Sequence, residues 1–444
     1  MAQQRAEVAG PLDTFRQFFS LQRDVLALSL AMFAFSLGFQ MTNRFLPEYL
    51  FYLGAGGFVV GLFATLGNVI GAVYPYYGGV VSDRVGSRYA LTVFGFVSAF
   101  GFVIWLAADF LPAVDLGVVV LEPWVWVFAG LLLAQCWKSL GIGGHYAIVK
   151  QATEPDRLAR GFASTETFRR TAFLLAPLIV AVLVADELIP GFLWVLVLAI
   201  VFAVLGTIAQ HWLYEADEDT VGKEFEGVSQ IVDDLRALPD ALRPLLVADT
   251  FVRFANGMVY AFFILVVTQL MQVGLTATVP VYGTVSLSPA AFFGVLLSIE
   301  MLVALLTMAP AAKIAERVGL KPVVGLGFFV YAIFPVLLIF GPGVVTGVDD
   351  TWLLVALFAF SGLRFAGLPA HKALIVGPAE RGAGGRVTGS YYFVRGAIVI
   401  PSGVLGGFLW EFVSPELSFT IATAVGLIGV AYFVLFGEEF EAYA

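Results

Sequence analysis

Residues 79–88 read Gly-Val-Val-Ser-Asp-Arg-Val-Gly-Ser-Arg, and residues 312–321 read Ala-Lys-Ile-Ala-Glu-Arg-Val-Gly-Leu-Lys. Each stretch is a short charged turn between two long apolar runs. In both, an acid and a base are neighbours, a glycine follows two positions later, and a second base closes the turn. The chain carries the same turn twice, which indicates an internal repeat.

The composition is that of an all-α integral membrane protein. Hydrophobic residues make up 60% and charged residues 13% of the chain, against roughly 25% charged in soluble domains. The apolar runs suit helices that cross a hydrocarbon core of about 30 Å. The net charge of −9 argues against nucleic acid as a partner. A single cysteine excludes a disulfide framework and a cysteine metal site, and we predict neither cofactor nor metal.

Twelve membrane spans are predicted, in two pseudo-symmetric six-helix halves at 25–213 and 244–437. Segments 1–24 and 438–444 flank these halves. Between them, the polar segment 214–243 has apolar residues at helical spacing, which predicts an amphipathic cytoplasmic helix. The spans are predicted near 25–50, 57–77, 89–108, 123–147, 161–184, 191–213, 245–272, 286–310, 322–341, 351–374, 387–409 and 417–436.

Basic residues separate the loops into two kinds. If the amino terminus lies inside, the outer loops contain no Lys or Arg, whereas the inner loops contain many. The positive-inside rule then predicts a multi-pass protein of the plasma membrane with both termini in the cytoplasm.

Four basic residues recur 226 positions later. The pairs are Lys138 with Arg364, His145 with His371, Arg160 with Arg386, and Arg169 with Arg395. The midpoint of this repeat falls in the polar segment 214–243, as expected for two related halves.

The two charged turns resemble the loop signature of the major facilitator superfamily. The resemblance extends to twelve spans with a long central loop, so it covers essentially the whole chain. It implies a secondary transporter that works by alternating access, and it implies that the turns are gates. In the family, the acid of the first turn contacts span 11. The gating residues implied here are Gly79, Asp83, Arg84, Gly86 and Arg88, and then Glu316, Arg317 and Gly319.

The resemblance would place Asp83 at the start of span 11 near Arg386, and Glu316 at the start of span 5 near Arg160. A carboxylate suits such a position because the unpaired N–H groups of a helix start carry partial positive charge. An ordinary solvated charged turn is the alternative. The second turn departs from the signature at Ala312 and Glu316.

Five charged residues inside predicted spans have no opposite charge four positions away, namely Lys138, Arg169, Arg364, Arg395 and Glu300. An ion at membrane depth costs a few kcal/mol or more unless it is paired or wet. The helix rise puts the four cations at one level, just cytoplasmic of the midplane. Either they surround a central cavity and bind an anionic substrate, or they are structural ions that snorkel or pair.

Glu300 is the candidate for ion coupling, because a carboxylate at membrane depth can bind and release a proton. A static ion pair with one of the arginines is its alternative. Asn68 is a polar candidate for the cavity wall. Three further pairs at i, i+4 are expected to neutralise themselves: Arg44 with Glu48, Glu166 with Arg170, and Asp249 with Arg253.

The sequence thus predicts a membrane transporter of a small molecule that is not an enzyme, since nucleotide-binding and metalloprotease motifs are missing. Its expected partners are a small-molecule substrate, a coupling ion (H+ or Na+) and the bilayer, and a monomer should function. An organic anion is the favoured substrate. Proton-driven efflux of hydrophobic compounds, and a transporter-like sensor without net flux, are the alternatives.

Overall fold

The computed structural model describes residues 23–115, 117, 120–141, 145, 158–214, 240–279, 283–345, 347–376 and 384–439. The amphipathic helix predicted in the linker, and most of both terminal segments, lie outside this part of the chain. What is described is a helical membrane protein with two small hairpins.

Helices occupy all six predicted spans of the amino-terminal half. In chain order they are span 1 (Arg23–Asn43 and Leu46–Tyr52), span 2 (Gly57–Val85), span 3 (Ser87–Ala107), span 4 (Trp124–Ala134 and the π-helix Cys136–Leu140), span 5 (Leu158–Leu183) and span 6 (Leu188–Leu213).

The carboxy-terminal half repeats this order. Its helices are span 7 (Arg243–Val259, then the 3-10 helix Tyr260–Phe262, Phe263–Leu265 and the π-helix Val266–Met271), span 8 (Pro289–Val318), span 9 (Leu320–Val344), span 10 (Asp350–Gly362, the 3-10 helix Leu363–Phe365 and Leu368–Val376), span 11 (Gly384–Val399 and Ser402–Phe412) and span 12 (Pro415–Phe436).

Ten helices of the described part are long and apolar enough to cross a membrane. The other two predicted positions are also helical. Span 4 is a shorter apolar stretch, Trp124–Leu140, and span 5 is a helix of 26 residues. Helices dominate because hydrocarbon offers no partner for backbone N–H and C=O groups, so each segment must satisfy them internally.

Two antiparallel hairpins lie on one side of the protein. Strands β1 (Val114–Asp115) and β2 (Val120–Leu121) join spans 3 and 4, with Val114 opposite Leu121. Strands β3 (Leu275–Val279) and β4 (Gly283–Leu287) join spans 7 and 8, with Leu275 opposite Leu287. We call this side the hairpin side. The opposite side, where span 6 ends and span 7 begins, is the linker side.

The packing of the spans follows the internal repeat. Span 1 packs on spans 5 and 6, and span 7 packs likewise on spans 11 and 12. Span 3 packs on spans 4 and 6, as span 9 does on spans 10 and 12. Between the halves, span 2 contacts span 11 and span 5 contacts span 8. Each span of the first half corresponds to the span six places later, so span 2 corresponds to span 8 and span 5 to span 11. The contact of span 2 with span 11 is thus equivalent to the contact of span 8 with span 5, and the halves are pseudo-symmetric.

The repeated bases of spans 4 and 10 lie where the α-helix is interrupted. Lys138 is the central residue of the π-helix Cys136–Leu140, and Arg364 is the central residue of the 3-10 helix Leu363–Phe365. Gly362 and Gly367 bracket the second interruption. Such breaks are tolerated at membrane depth where the backbone is enclosed by protein or faces water.

Candidate functional site

Two cations of the amino-terminal half lie close together. Lys138 has an exposed side chain, and its ammonium is 5.6 Å from the ring centroid of Phe39 on span 1. Arg169, on span 5, is half-buried, and its guanidinium is 5.2 Å from the ring centroid of Phe173. The positive charge of Arg169 acts on Lys138. Lys138 and Arg169 are therefore near enough for their charges to interact, each beside an aromatic ring of span 1 or span 5.

Arg364 and Glu300 form an ion pair inside the carboxy-terminal half. Arg364 Nη2 is 2.8 Å from Glu300 Oε1, and the two side chains are 1% and 2% exposed. The Ser361 hydroxyl donates a second hydrogen bond to Glu300. Aromatic rings surround the guanidinium, with the Tyr331 and Phe365 centroids at 4.9 and 4.8 Å. Glu300 is thus paired with one of the arginines, Arg364, and whether the pair is static or takes part in coupling remains a prediction.

Asp249 is the centre of a second buried cluster. Its side chain is fully buried, and the predicted pair with Arg253 is confirmed at 3.2 Å. Arg395 Nη1 lies 2.9 Å from Asp249 Oδ2, and the Tyr391 hydroxyl donates to the same oxygen at 3.1 Å. His371 Nε2 lies 3.3 Å from that oxygen. One carboxylate thus ties spans 7, 10 and 11 together.

Contacts between spans 1 and 7 replace the predicted Arg44–Glu48 pair. The Arg44 guanidinium lies 3.7 Å from the ring centroid of Tyr260. Glu48 instead accepts hydrogen bonds from Thr268 Oγ1, at 2.6 Å, and from the Gln269 side chain. Both partners belong to the other half, and span 1 is interrupted between Asn43 and Leu46, so the i, i+4 spacing of one continuous helix does not apply to Arg44 and Glu48. The third predicted pair cannot be followed, since the Glu166 side chain lies outside the described residues.

Spans 2 and 11 are in backbone contact towards the hairpin side. A Cβ added to Gly61 would lie 2.3 Å from the Gly403 carbonyl oxygen, so only glycine fits. The Val404 N–H donates to Thr65 Oγ1 at 2.8 Å. At the start of span 2, the Gly57 N–H donates to Glu411 Oε2 at 2.6 Å. That carboxylate satisfies a helix N-terminus of the opposite half.

Spans 5 and 8 form the second contact between the halves, also on the hairpin side. Ser288 Oγ donates to the Val184 carbonyl at 2.8 Å, and Ser298 Oγ donates to the Leu174 carbonyl at 3.2 Å. Towards the linker side, Gly396 lies on the face of span 11 that carries Gly403. A Cβ added there meets no atom within 4 Å. The described contacts therefore close the hairpin side, and the interface of span 11 loosens towards the linker side.

Comparison with known families decides the class of this fold. The profile described as Major Facilitator Superfamily matches residues 28–292, which is more than half of the chain. The chain belongs to the major facilitator superfamily. It is accordingly a secondary transporter of the membrane, and the resemblance drawn from the two charged turns is confirmed.

Several transporters of known structure have a similar fold. A nucleoside transporter, NupG, superposes with a TM-score of 0.69 at 14% identity, covering 94% of this chain and 100% of its own. A POT family transporter in complex with 5-aminolevulinic acid gives 0.72 at 14% identity, covering 95% and 97%. A peptide transporter POT in complex with sulfate gives 0.70 at 17% identity, covering 96% and 97%.

A sequence relative supports the same family. An uncharacterized MFS-type transporter of Methanocaldococcus jannaschii is 22% identical over 415 residues, which cover 92% of this chain and 93% of the relative. The solved structures, all below 25% identity, show the superfamily fold and nothing finer.

The first superfamily turn connects spans 2 and 3. Gly86 has φ +86°, a backbone conformation that favours glycine. Arg88 Nε donates to the His211 carbonyl at 2.8 Å, which caps the end of span 6. Arg84 is exposed. The side chain of Asp83 and the surroundings of Gly79 lie outside the described residues, as does the Arg386 side chain, so the gating contact remains a prediction.

The second superfamily turn connects spans 8 and 9. Gly319 has φ +91°, and Arg317 is exposed. The Leu320 and Lys321 N–H groups donate to Glu439 Oε1 and Oε2 at 2.7 and 2.8 Å. A carboxylate following span 12 therefore caps span 9. The side chains of Glu316 and Arg160 lie outside the described residues.

The sequence did not predict that Asp249 is the centre of a buried cluster or that Glu411 caps the start of span 2. Asp249 was interpreted as one half of a local pair, although His371 and Arg395, two repeated bases, also needed a carboxylate. Glu411 stood next to a loop and gave no signal. Asn68 lies near the middle of span 2, half-buried, on the face that carries Gly61. Its place in the cavity wall remains a prediction.

Proposed function

We propose that this chain transports a small organic anion by alternating access, and that the described structure is the state closed on the hairpin side. The observation that carries the proposal is the proximity of Lys138 and Arg169. The like charges of these two side chains repel each other, and an anion between them would relieve that repulsion. Lys138 is exposed within the bundle, so a solute that reaches the cavity can contact it.

The loop charges orient this state in the membrane. All Lys and Arg residues of the connecting loops lie on the linker side, so we assign that side to the cytoplasm and the hairpin side to the exterior. Both termini are then cytoplasmic, and the structure is an inward-facing state. A monomer in the plasma membrane contains every group that the proposal uses.

The four predicted cations divide into two kinds under this proposal. Lys138 and Arg169 make the first contact with the anion. Arg395 is 21% exposed on its side chain and would exchange Asp249 for the substrate. Arg364 is enclosed with Glu300 and would act on the substrate through that pair.

Glu300 is our candidate for proton coupling. It is buried, and a proton that binds its carboxylate would take the place of the Arg364 guanidinium as the partner of that carboxylate. Protonation of the carboxylate would release Arg364, and loss of the proton would restore the pair. A solved structure of similar fold, a peptide transporter POT, is in complex with sulfate, so this fold can hold an anion.

Uptake into proteoliposomes tests the proposal. Lys138→Gln and Arg169→Gln should each raise the half-saturating anion concentration about tenfold or more, since a hydrogen bond to a charged group contributes about 1.5–3 kcal/mol. Arg243→Gln is the matched control, because Arg243 forms an exposed pair with Asp240. If neutral or cationic solutes are transported and anions neither move nor compete, the proposal is wrong and efflux of hydrophobic compounds replaces it.

A further inference from the structure

A small pocket lies inside the carboxy-terminal half, between spans 7, 9 and 10. Its polar lining consists of Arg253, Tyr331, Arg364 and His371, and the remaining wall is formed by glycines and aliphatic or aromatic side chains. The empty space amounts to about 220 Å³, including the part open to solvent. Three of the four polar lining residues are basic, and none is an acid.

Two buried nitrogen atoms of this lining have no hydrogen-bond partner, Arg364 Nε and His371 Nε2. Their residues are 2% and 3% exposed. A buried donor that lacks a partner costs about 1–3 kcal/mol, and native structures leave few of them. Two such atoms on one pocket indicate that something which accepts hydrogen bonds belongs there.

The two carboxylates near the pocket, Glu300 and Asp249, contact other side chains and do not line it. Glu300 faces Arg364 Nη2 and Ser361, and Asp249 faces Arg253, Arg395 and Tyr391. The Asp249 carboxylate comes within 3.3 Å of His371 Nε2 but does not line the pocket. Among these described groups there are three arginines and two carboxylates, so the cluster has one more positive than negative charge, without counting the histidine. The pocket thus lies on the positive side of an unbalanced cluster.

We infer that this pocket binds a small monovalent anion of halide size. An anion would accept from Arg364 Nε, which has no other partner, and from His371 Nε2, whose one contact is Asp249 Oδ2 at 3.3 Å, and it would compensate the excess positive charge, which a water molecule cannot do. The enclosed part of the pocket has room for about one small ion or water molecule, far less than the roughly 300–1,000 Å³ of sites that enclose a whole organic ligand. The site lies in the other half from Lys138 and Arg169, and it shares Arg364 with the proposed coupling pair.

Binding of radiolabelled chloride to the purified full-length protein tests the inference. Saturable binding of about one ion per chain is expected, with competition by bromide and not by the bulky gluconate ion. Chloride should also raise Tm relative to gluconate at equal ionic strength, because a ligand of the native state stabilises it. Absence of a saturable component would overturn the site.

Variants of the two repeated histidines locate the ion. His371→Phe removes a donor from the pocket, whereas His145→Phe changes the equivalent buried histidine of the other half, which is next to Trp137. Chloride binding should fall at least tenfold in the first variant and stay unchanged in the second. Equal loss in both variants would contradict the assignment.

Crystals of the unaltered protein grown in bromide give an answer that no folding defect can obscure. The expected result is an anomalous bromide peak within hydrogen-bond distance of Arg364 Nε. A pocket that holds only water, with bromide elsewhere or nowhere, would show that the site is not an anion site.

Discussion

Buried charge in this protein is stabilised by partners on other helices. Glu300 on span 8 pairs with Arg364 on span 10, and Asp249 on span 7 pairs with Arg395 on span 11. Desolvating these ions is costly, and only close, hydrogen-bonded geometry offsets that cost. Each carboxylate therefore fixes the relative position of two helices in addition to balancing a charge.

Replacing Asp249 should destabilise the protein strongly. Asp249→Asn leaves Arg253 and Arg395 without their shared carboxylate, and breaking a buried pair costs about 3 kcal/mol or more. Both arginines keep about a fifth of their side chain exposed, so we expect the lower end of that range. Thermal unfolding in detergent measures the effect.

Asp240→Asn is the control for this experiment. Asp240 also pairs with an arginine, but at the surface, where ion pairs contribute roughly 0–1 kcal/mol. Equal Tm values for the two variants would show that the Asp249 cluster does not hold spans 7, 10 and 11 together.

The coupling proposal predicts a separation of two activities in Glu300→Gln. The amide keeps the shape of the side chain and can still accept from Arg364 and Ser361, but it cannot bind and release a proton. An imposed pH gradient should no longer drive accumulation in proteoliposomes, whereas substrate exchange should continue. Glu416→Gln, at an exposed acid of span 12, should behave as the unaltered protein. Unchanged pH-driven accumulation in Glu300→Gln would remove Glu300 from the mechanism.

The sequence reveals which side chains are charged at depth, but not which of them meet. Local spacing predicted the Asp249–Arg253 pair correctly. The same rule failed for Arg44 and Glu48, because the helix breaks between them and both find partners across the interface. The Glu300–Arg364 pair joins residues 64 positions apart, and only the packing of span 8 against span 10 brings them together.

At the scale of elements, helices were predictable and their irregularities were not. Long apolar runs must be helical in a bilayer, so each predicted span coincides with a helix. The π-helix at Lys138 and the 3-10 helix at Arg364 depend on neighbouring helices that satisfy the freed backbone groups. The spacing of apolar residues does not indicate where such interruptions lie. The repeated bases Lys138 and Arg364 do coincide with the two interruptions.

Glycines of span 2 offer a test of the interface between the halves. Gly61→Ala would force a methyl group against the Gly403 carbonyl and the Gly407 backbone, and so push span 11 away on the hairpin side. In a Cys136→Ser background, a cysteine introduced at Thr65 should then react faster with a membrane-impermeant maleimide applied from the hairpin side.

Gly67→Ala provides the control within the same helix. A Cβ at Gly67 meets no atom within 4 Å, so the substitution adds no clash. Its maleimide reaction should match that of the background protein. If Gly61→Ala reacts no faster than Gly67→Ala, the glycine contact does not keep the hairpin side closed.

At the scale of the whole molecule, two contacts between the halves close the hairpin side, and the pseudo-symmetry makes them equivalent. Under the proposed alternating access, the pseudo-symmetry that relates span 2 with span 11 to span 8 with span 5 would let the halves rock about a central site without changing their internal packing. Closing contacts at the hairpin side include a carboxylate, Glu411, on a helix start of the opposite half. The turns at 79–88 and 312–321 occupy the linker side, where a second set of contacts would have to form.

Distances between spin labels across the two sides test this account most directly. One pair, at Glu187 and Val348, reports the hairpin side, and another, at Val85 and Val318, reports the linker side. All four residues are exposed, and each pair joins the two halves. Labels are attached to cysteines in the Cys136→Ser background, and distances are measured by pulsed electron resonance in lipid, with and without a transported anion.

Alternating access predicts two populations in each pair, coupled in opposite directions. Under conditions that favour the outward state, the hairpin-side distance should lengthen and the linker-side distance should shorten in equal proportion. A hairpin-side distance that stays single and unchanged while the protein transports, or two distances that lengthen together, would contradict the account.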